Sequence, residues 1–200
     1  ICWGLRVSKG ISKIIRQTLI NNKTILEIGP GLGFLTDKIL EKKPKIVYLV
    51  EKDLNLFKIL KEKYKAYKNV KIINEDILNI NLNKFDNLLI ISNLPYNVST
   101  KIILYLFSFN KNINTMILMI QKEVAYKFDY LLPKMNKYKF LTNIVSNYKR
   151  CFNVSSKVFY PKPKVDSTVV KFKFYNKDLD LTKASTFSNL IFKNIRKKIS

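Results

Sequence analysis

The chain contains no histidine and only two cysteines, Cys2 and Cys151, far apart in sequence. Zinc sites and disulfide frameworks have almost nothing to build on, so no metal is expected. The same absence removes histidine as a general base, and any chemistry must rest on carboxylates, amides, aromatic rings and backbone. Acidic residues are also scarce, 14 against 37 basic ones, for a formal charge of +23. That exceeds what solubility requires and points to a polyanionic partner, nucleic acid first, although the abundance of Lys, Asn and Ile also fits the drift of an AT-rich genome. No apolar run approaches the roughly 18 residues that span a bilayer, and the first residues lack the basic-then-apolar layout of a signal peptide. No membrane partner is expected, and a cytoplasmic setting is, with an organelle as the alternative. The chain starts at Ile1 and not at methionine, which suggests a partial sequence.

With 200 residues the chain can bury one full-sized core. Short apolar runs at 24–28, 46–50, 70–73, 88–91 and 115–120 read as buried strands. Between them, 34–41, 54–64 and 99–107 carry apolar residues at helical spacing, the last opened by Ser99 or Thr100 as N-cap. This alternation predicts an α/β fold, a mostly parallel sheet with helices on both faces, whose ligands bind at the carboxyl ends of the strands. Further on, the spacing predicts a helix over 122–130, a basic loop over 132–139 broken by Pro133, and a second helix over 140–148. The alternation of Val169, Lys171 and Lys173 against Val170, Phe172 and Phe174 predicts a strand over 167–175. A last helix begins near Thr182.

Three motifs fall at predicted strand ends. Asn93-Leu94-Pro95-Tyr96 follows the fourth apolar run and suits a planar amine. The Asn93 side-chain oxygen and the Leu94 carbonyl supply two acceptors, Pro95 holds the preceding residue extended without adding a donor, and Tyr96 offers a stacking face. Ordinary turn chemistry is the plainer alternative. Glu27-Ile28-Gly29-Pro30-Gly31-Leu32-Gly33 joins the first strand to the first helix, where glycines let a ligand approach the backbone. Phe34 stands where a dinucleotide fingerprint needs glycine, and the Gly-Lys-Ser/Thr of a P-loop is missing, so the loop suits S-adenosylmethionine better. Glu51 can accept from ribose hydroxyls, and Asp76 from an adenine amine. Finally, the segment 159–167 has two prolines stiffening a basic turn, in which Lys162 and Lys164 can meet phosphates and Phe159 can face Tyr96 across a flipped base. Lys134 and Lys137 of the basic loop are further phosphate candidates.

Together these motifs resemble the ribosomal RNA adenine N6-dimethyltransferase family over roughly residues 11–200, most specifically at Glu27 to Gly33, Asn93 to Tyr96, Gln121-Lys122-Glu123-Val124-Ala125 and Phe159 to Ser167. The erythromycin-resistance methylases are similar, but Leu94 and the Asp166-Ser167 ending look more like the housekeeping branch. The resemblance implies a Rossmann-like class I S-adenosylmethionine-dependent methyltransferase domain over 1–180, with 181–200 beginning a small C-terminal helical domain. It implies S-adenosylmethionine held by Glu27, Gly29, Gly31, Gly33, Glu51, Lys52, Asp76, Ile77 and Asn93. The target adenine would be received by Asn93, Leu94, Pro95, Tyr96 and Phe159. The expected activity is N6,N6-dimethylation of small-subunit ribosomal RNA on a pre-ribosomal particle, by a monomer. A DNA adenine or protein-glutamine methyltransferase is the nearest rival enzyme, and a non-catalytic RNA-binding, assembly or organelle transcription factor the rival from another class. The chain departs from the family at its start, where Cys2-Trp3-Gly4-Leu5-Arg6 stands in place of Gly-Gln-x-Phe-Leu.

Overall fold

A computed structural model describes residues 15, 18–158, 165–175, 179 and 181–197. The expected strands and helices alternate: β1 Thr24–Ile28, α1 Phe34–Leu40, β2 Ile46–Val50, α2 Leu54–Lys63, β3 Val70–Ile73, β4 Leu88–Asn93, α3 Ser99–Phe107, β5 Ile113–Gln121 and α4 Lys122–Phe128. They are followed by α5 Lys137–Val145, β6 Ser146–Val154, β7 Ser167–Phe174 and α6 Leu181–Lys197. The strands form one seven-stranded sheet in the order β3-β2-β1-β4-β5-β7-β6. The first five pair in parallel, whereas β7 runs antiparallel to both β5 and β6.

Because side chains alternate across a strand, the central strands feed two cores. Leu88 and Ile90 of β4 join one cluster with Leu106, Phe107, Phe128 and Phe172, while Leu89 and Ile91 join another with Leu35, Ile39, Leu49 and Leu60. Both faces are therefore covered, and β4 reads as a continuous apolar run for that reason. Phe107, Phe128 and Phe172 meet edge to face, with centroids 5.7 to 6.1 Å apart.

Three local expectations need correction. The helix expected over 140–148 is α5, which starts earlier because the Asn136 side chain caps the N–H groups of Tyr138 and Lys139. It gives way at Ser146 to β6, which was not expected. Buried Ser146 and Tyr148 alternate there with exposed Asn147 and Lys149, and β7 supplies the backbone partners. At α3 the N-cap is Val98, without a side-chain cap bond; Ser99 is already helical, and its hydroxyl donates to the Tyr96 carbonyl at 3.3 Å. The helix expected over 122–130 ends at Phe128.

The basic loop before α5 has an unusual pin. Lys139 is buried, and its ammonium donates to the carbonyls of Leu132, Pro133 and Lys134 at 2.9, 2.7 and 3.2 Å. Three carbonyl dipoles thus take the place of water around a charge that would otherwise be costly to bury. No helix among the described residues is long and apolar enough to cross a membrane.

Candidate active site

The carboxyl ends of β1, β2 and β4 meet in one place. Gly29, Gly31 and Gly33 all have positive φ, the left-handed region that side chains disfavour. Their surroundings differ. A Cβ on Gly33 would lie 2.2 Å from the Tyr64 hydroxyl oxygen, so α2 closes the loop from below at that point. Tyr64 Oη lies 2.8 Å from the Gly33 carbonyl and 2.6 Å from Asp37 Oδ1, and shares its one proton between these acceptors. Burial pushes its pKa well up. A Cβ on Gly31 would meet nothing within 4 Å, so this part of the loop faces open space.

Two of the expected cofactor carboxylates are tied to backbone N–H groups. Glu51 accepts from Gly31 N–H at 3.3 Å through Oε2 and from Asp53 N–H at 3.0 Å through Oε1. Asn74 fixes the Glu51 carbonyl at 2.8 Å. Asp76 accepts from Leu78 N–H at 3.0 Å, opening a short 3-10 turn. A carboxylate has about four lone-pair sites, so both groups keep acceptor capacity. Beside them Lys52 is exposed and the Ile77 side chain is buried.

Glu27 sits differently. It is 1% exposed beneath the loop and accepts from the Thr36 hydroxyl at 2.7 Å, tying β1 to α1. Burial pushes its pKa up to about 8, against the opposing Thr36 bond. The structure makes it a prop for the glycine loop, with no exposed carboxylate to offer.

The Asn93 to Tyr96 turn abuts this loop. Pro95 Cδ and Cγ lie 4.0 Å from where a Gly29 Cβ would stand, and the Ser92 hydroxyl donates to the Ile28 carbonyl at 2.5 Å. Leu94 N–H continues the pairing with β5 by donating to Met119 at 3.1 Å. The Leu94 side chain is buried, which anchors the turn in the core while Pro95 stays exposed. The half-buried Asn93 amide has no hydrogen-bond partner among the described residues. Tyr96 is half-buried, and its hydroxyl lies 2.6 Å from Ser167 Oγ at the start of β7. Burial raises its pKa, partly offset by the Ser167 contact. Its ring is thereby held at a set angle to the turn.

Sequence reasoning missed the supporting residues Thr36, Tyr64, Ser92 and Ser167. The hydroxyl-rich ends of strands and helices were the available signal, but their partners lie 9 to 71 residues away. Phe159, Lys162 and Lys164, and the altered segment at Cys2 to Arg6, lie outside the described residues. Lys134 is exposed with φ 60°. Lys137 lines a groove with Leu104, Phe107 and Ser108 at the far end of α3 from the turn. Neither described lysine is brought to the Asn93 turn. Among the described residues no group of three or more potential metal ligands occurs.

The profile of the ribosomal RNA adenine dimethylases matches residues 5–200. A ribosomal RNA small subunit methyltransferase A from Mycoplasma mobile is 38% identical over 197 residues, covering 95% of this chain and 76% of that one. The protein of the same name from Pelagibacter ubique is 39% identical over 172 residues, covering 81% of this chain and 64% of its own length. A crystal structure of a dimethyladenosine transferase from Plasmodium falciparum superposes with a TM-score of 0.78 at 25% identity, covering 92% of this chain and 69% of that one. The glycine loop set against the Asn93 turn at the ends of a 3-2-1-4-5-7-6 sheet agrees with these likenesses, and the chain belongs to the ribosomal RNA adenine dimethylase family.

Proposed function

We propose that the protein transfers methyl groups from S-adenosylmethionine to the N6 amine of adenosines in small-subunit ribosomal RNA, two per base. The observation that carries this reading is the closeness of Pro95 to Gly29, where even a single added Cβ would reach the proline ring at 4.0 Å, which puts a loop fit for the methyl donor against a turn fit for a planar amine. Open space at Gly31, two carboxylates with acceptor capacity and positive φ along the loop fit the cofactor's amino-acid and ribose ends. Gly31 would let the backbone approach it, Glu51 would accept from the ribose hydroxyls, and Asp76 from the adenine amine. When bound, the cofactor supplies an electrophilic methyl group on a sulfonium.

The chain's own residues do the rest. The N6 lone pair of adenine is delocalised into the ring, so the amine is a poor nucleophile. The Asn93 side-chain oxygen and the Leu94 carbonyl accept from its two hydrogens and favour the pyramidal, partly cationic nitrogen of the transition state over the planar ground state. Tyr96, oriented by Ser167, stacks the base and tolerates the developing positive charge. The N6 proton leaves to water after the N–C bond has formed, so no titrating base is needed in a chain without histidine. Positioning is then the main catalytic contribution.

The experiment is to incubate the purified chain with labelled S-adenosylmethionine and small ribosomal subunits from a strain lacking this methylation. Label in N6,N6-dimethyladenosine after digestion supports the reading. RNA binding without any transfer would instead make the chain a non-catalytic relative.

A further inference from the structure

Where β5 runs into α4, beside the target turn, a second cavity of about 240 Å³ opens. Its described walls are Gln121, Lys122, Glu123, Tyr126, Val165 and Asp166. Only one residue pair separates it from the turn: Gln121 lies opposite Ser167 in the β5–β7 register, and Ser167 touches Tyr96. Lys122 N–H donates to the Asp166 carbonyl at 3.0 Å and joins the two lips.

The wall chemistry narrows the occupant. Glu123 and Asp166, the latter accepting from Ser156 N–H at 2.8 Å, would repel a bare phosphate inside the cavity, whereas the Glu123 oxygens and the Gln121 amide can meet the donor edge of a nucleobase. Tyr126 is 36% exposed and offers a flat ring. Its other cationic neighbour, the Arg150 guanidinium, lies 4.8 Å from the ring centroid and is pinned by Asp129 at 2.5 Å. Arg150 is not among the walls, so the ring is braced by a group outside the cavity. Lys122, on the same helix with its ammonium over the Tyr126 ring at 5.9 Å from the centroid, is a wall, and its long side chain can swing off the ring to meet a phosphate. An aromatic platform, edge acceptors and one ammonium make up the set by which unpaired bases are held. The volume is below the roughly 300–1,000 Å³ of sites that take a whole drug-sized ligand, which suits one base. Packing α4 on β6 through Tyr126, Arg150 and Asp129 would require neither an exposed ring nor a cavity.

We propose that this cavity receives the unpaired nucleobase adjacent in the RNA to the adenosine being methylated, stacked on Tyr126. The inference rests on the RNA-methylation reading above and extends it to a flanking subsite that helps choose the sequence context.

The test uses a single-stranded RNA of about a dozen nucleotides with one adenosine, and the same RNA made abasic on the 5′ or the 3′ side of it. Tyr126→Ala and Tyr126→Leu should each raise KM about tenfold on the intact RNA, the size of one lost base–aromatic stack, with kcat within about twofold. Tyr126→Phe should behave as wild type. The wild type should lose the same factor on one abasic RNA, and on that RNA the variants should add no further loss. Equal loss on intact and abasic RNAs, or no loss on either, overturns the subsite. If none of the short RNAs is methylated, fluorescence decides the subsite, while the methyl-transfer reading stands or falls on the ribosomal-subunit assay above. A 2-aminopurine beside the adenosine should be quenched by the wild type and not by Tyr126→Leu; equal quenching by both overturns the proposal.

Discussion

The two halves of the sheet are built from opposite materials. The β1–β3 half gathers carboxylates at its strand ends and ties them to backbone N–H groups, as Glu51 does with Gly31 and Asp53. The half beyond β4 has no Asp or Glu between residues 130 and 165, and apart from Glu123 and Asp166 in the walls of the α4 cavity its site chemistry is amide, aromatic and lysine. A small cationic cofactor with hydroxyls calls for acceptors, whereas the phosphates of a polyanion call for few carboxylates, which are then kept for the edges of bases. The +23 charge is thus not spread evenly: its acid-free part lies on the side assigned to RNA. The close approach of Pro95 to Gly29 is the seam where the halves meet.

The largest effect expected is on the RNA side. Asn93→Ala should lower kcat about a hundredfold or more, the usual loss when one preorganised polar group is removed from a transition state. S-adenosylmethionine affinity, measured by calorimetry, should change far less, and an equal loss in both would erase the division. On the cofactor side, Gly33→Ala sets a Cβ against the Tyr64 hydroxyl at positive φ and should destabilise the fold by about 2–3 kcal/mol in urea titration. Gly31→Ala, with open space, should cost only about 1–2 kcal/mol, from the left-handed backbone alone.

Glu27 gives a pH signature. Its folded value of about 8 lies above the ordinary 4.5, so the native state holds a proton that the unfolded chain has released. Its contribution to stability is full below pH 4.5 and falls as pH rises toward 8, by at most about 1.4 kcal/mol per pH unit. Glu27→Gln should remove that slope in denaturation curves taken between pH 5 and 8. The smallest effect is expected from Glu51→Gln, which keeps one acceptor oxygen. It should weaken S-adenosylmethionine about fivefold, a net hydrogen bond of about 1 kcal/mol, and leave RNA affinity unchanged.

Legibility followed the range of the interactions. The central parallel strands were readable because burial on both faces writes a nearly unbroken apolar run, as at Leu88 to Ile91, while β3 at the edge keeps three apolar residues around exposed Lys71. β6 was not readable, because an edge strand needs only one apolar face and its other residues, Asn147, Lys149 and Arg150, suit a helix surface as well. The α3 cap was misassigned because Ser99 bonds back to the turn, a choice that depends on where Tyr96 lies. Glu27 reads as a ligand group in sequence, and only the packing of α1 over β1 shows it buried against Thr36.

By itself the sequence determined the alternation of strands and helices, the left-handed glycine loop, the amide-proline-aromatic turn and the exclusion of histidine chemistry. All of these depend on residues within one turn or one strand of each other. Tertiary structure decided that Pro95 packs near Gly29, that Ser167 orients Tyr96 and that Tyr126 walls a second cavity. Such contacts join residues tens of positions apart, and the order of strands in the sheet sets them, which no local periodicity encodes.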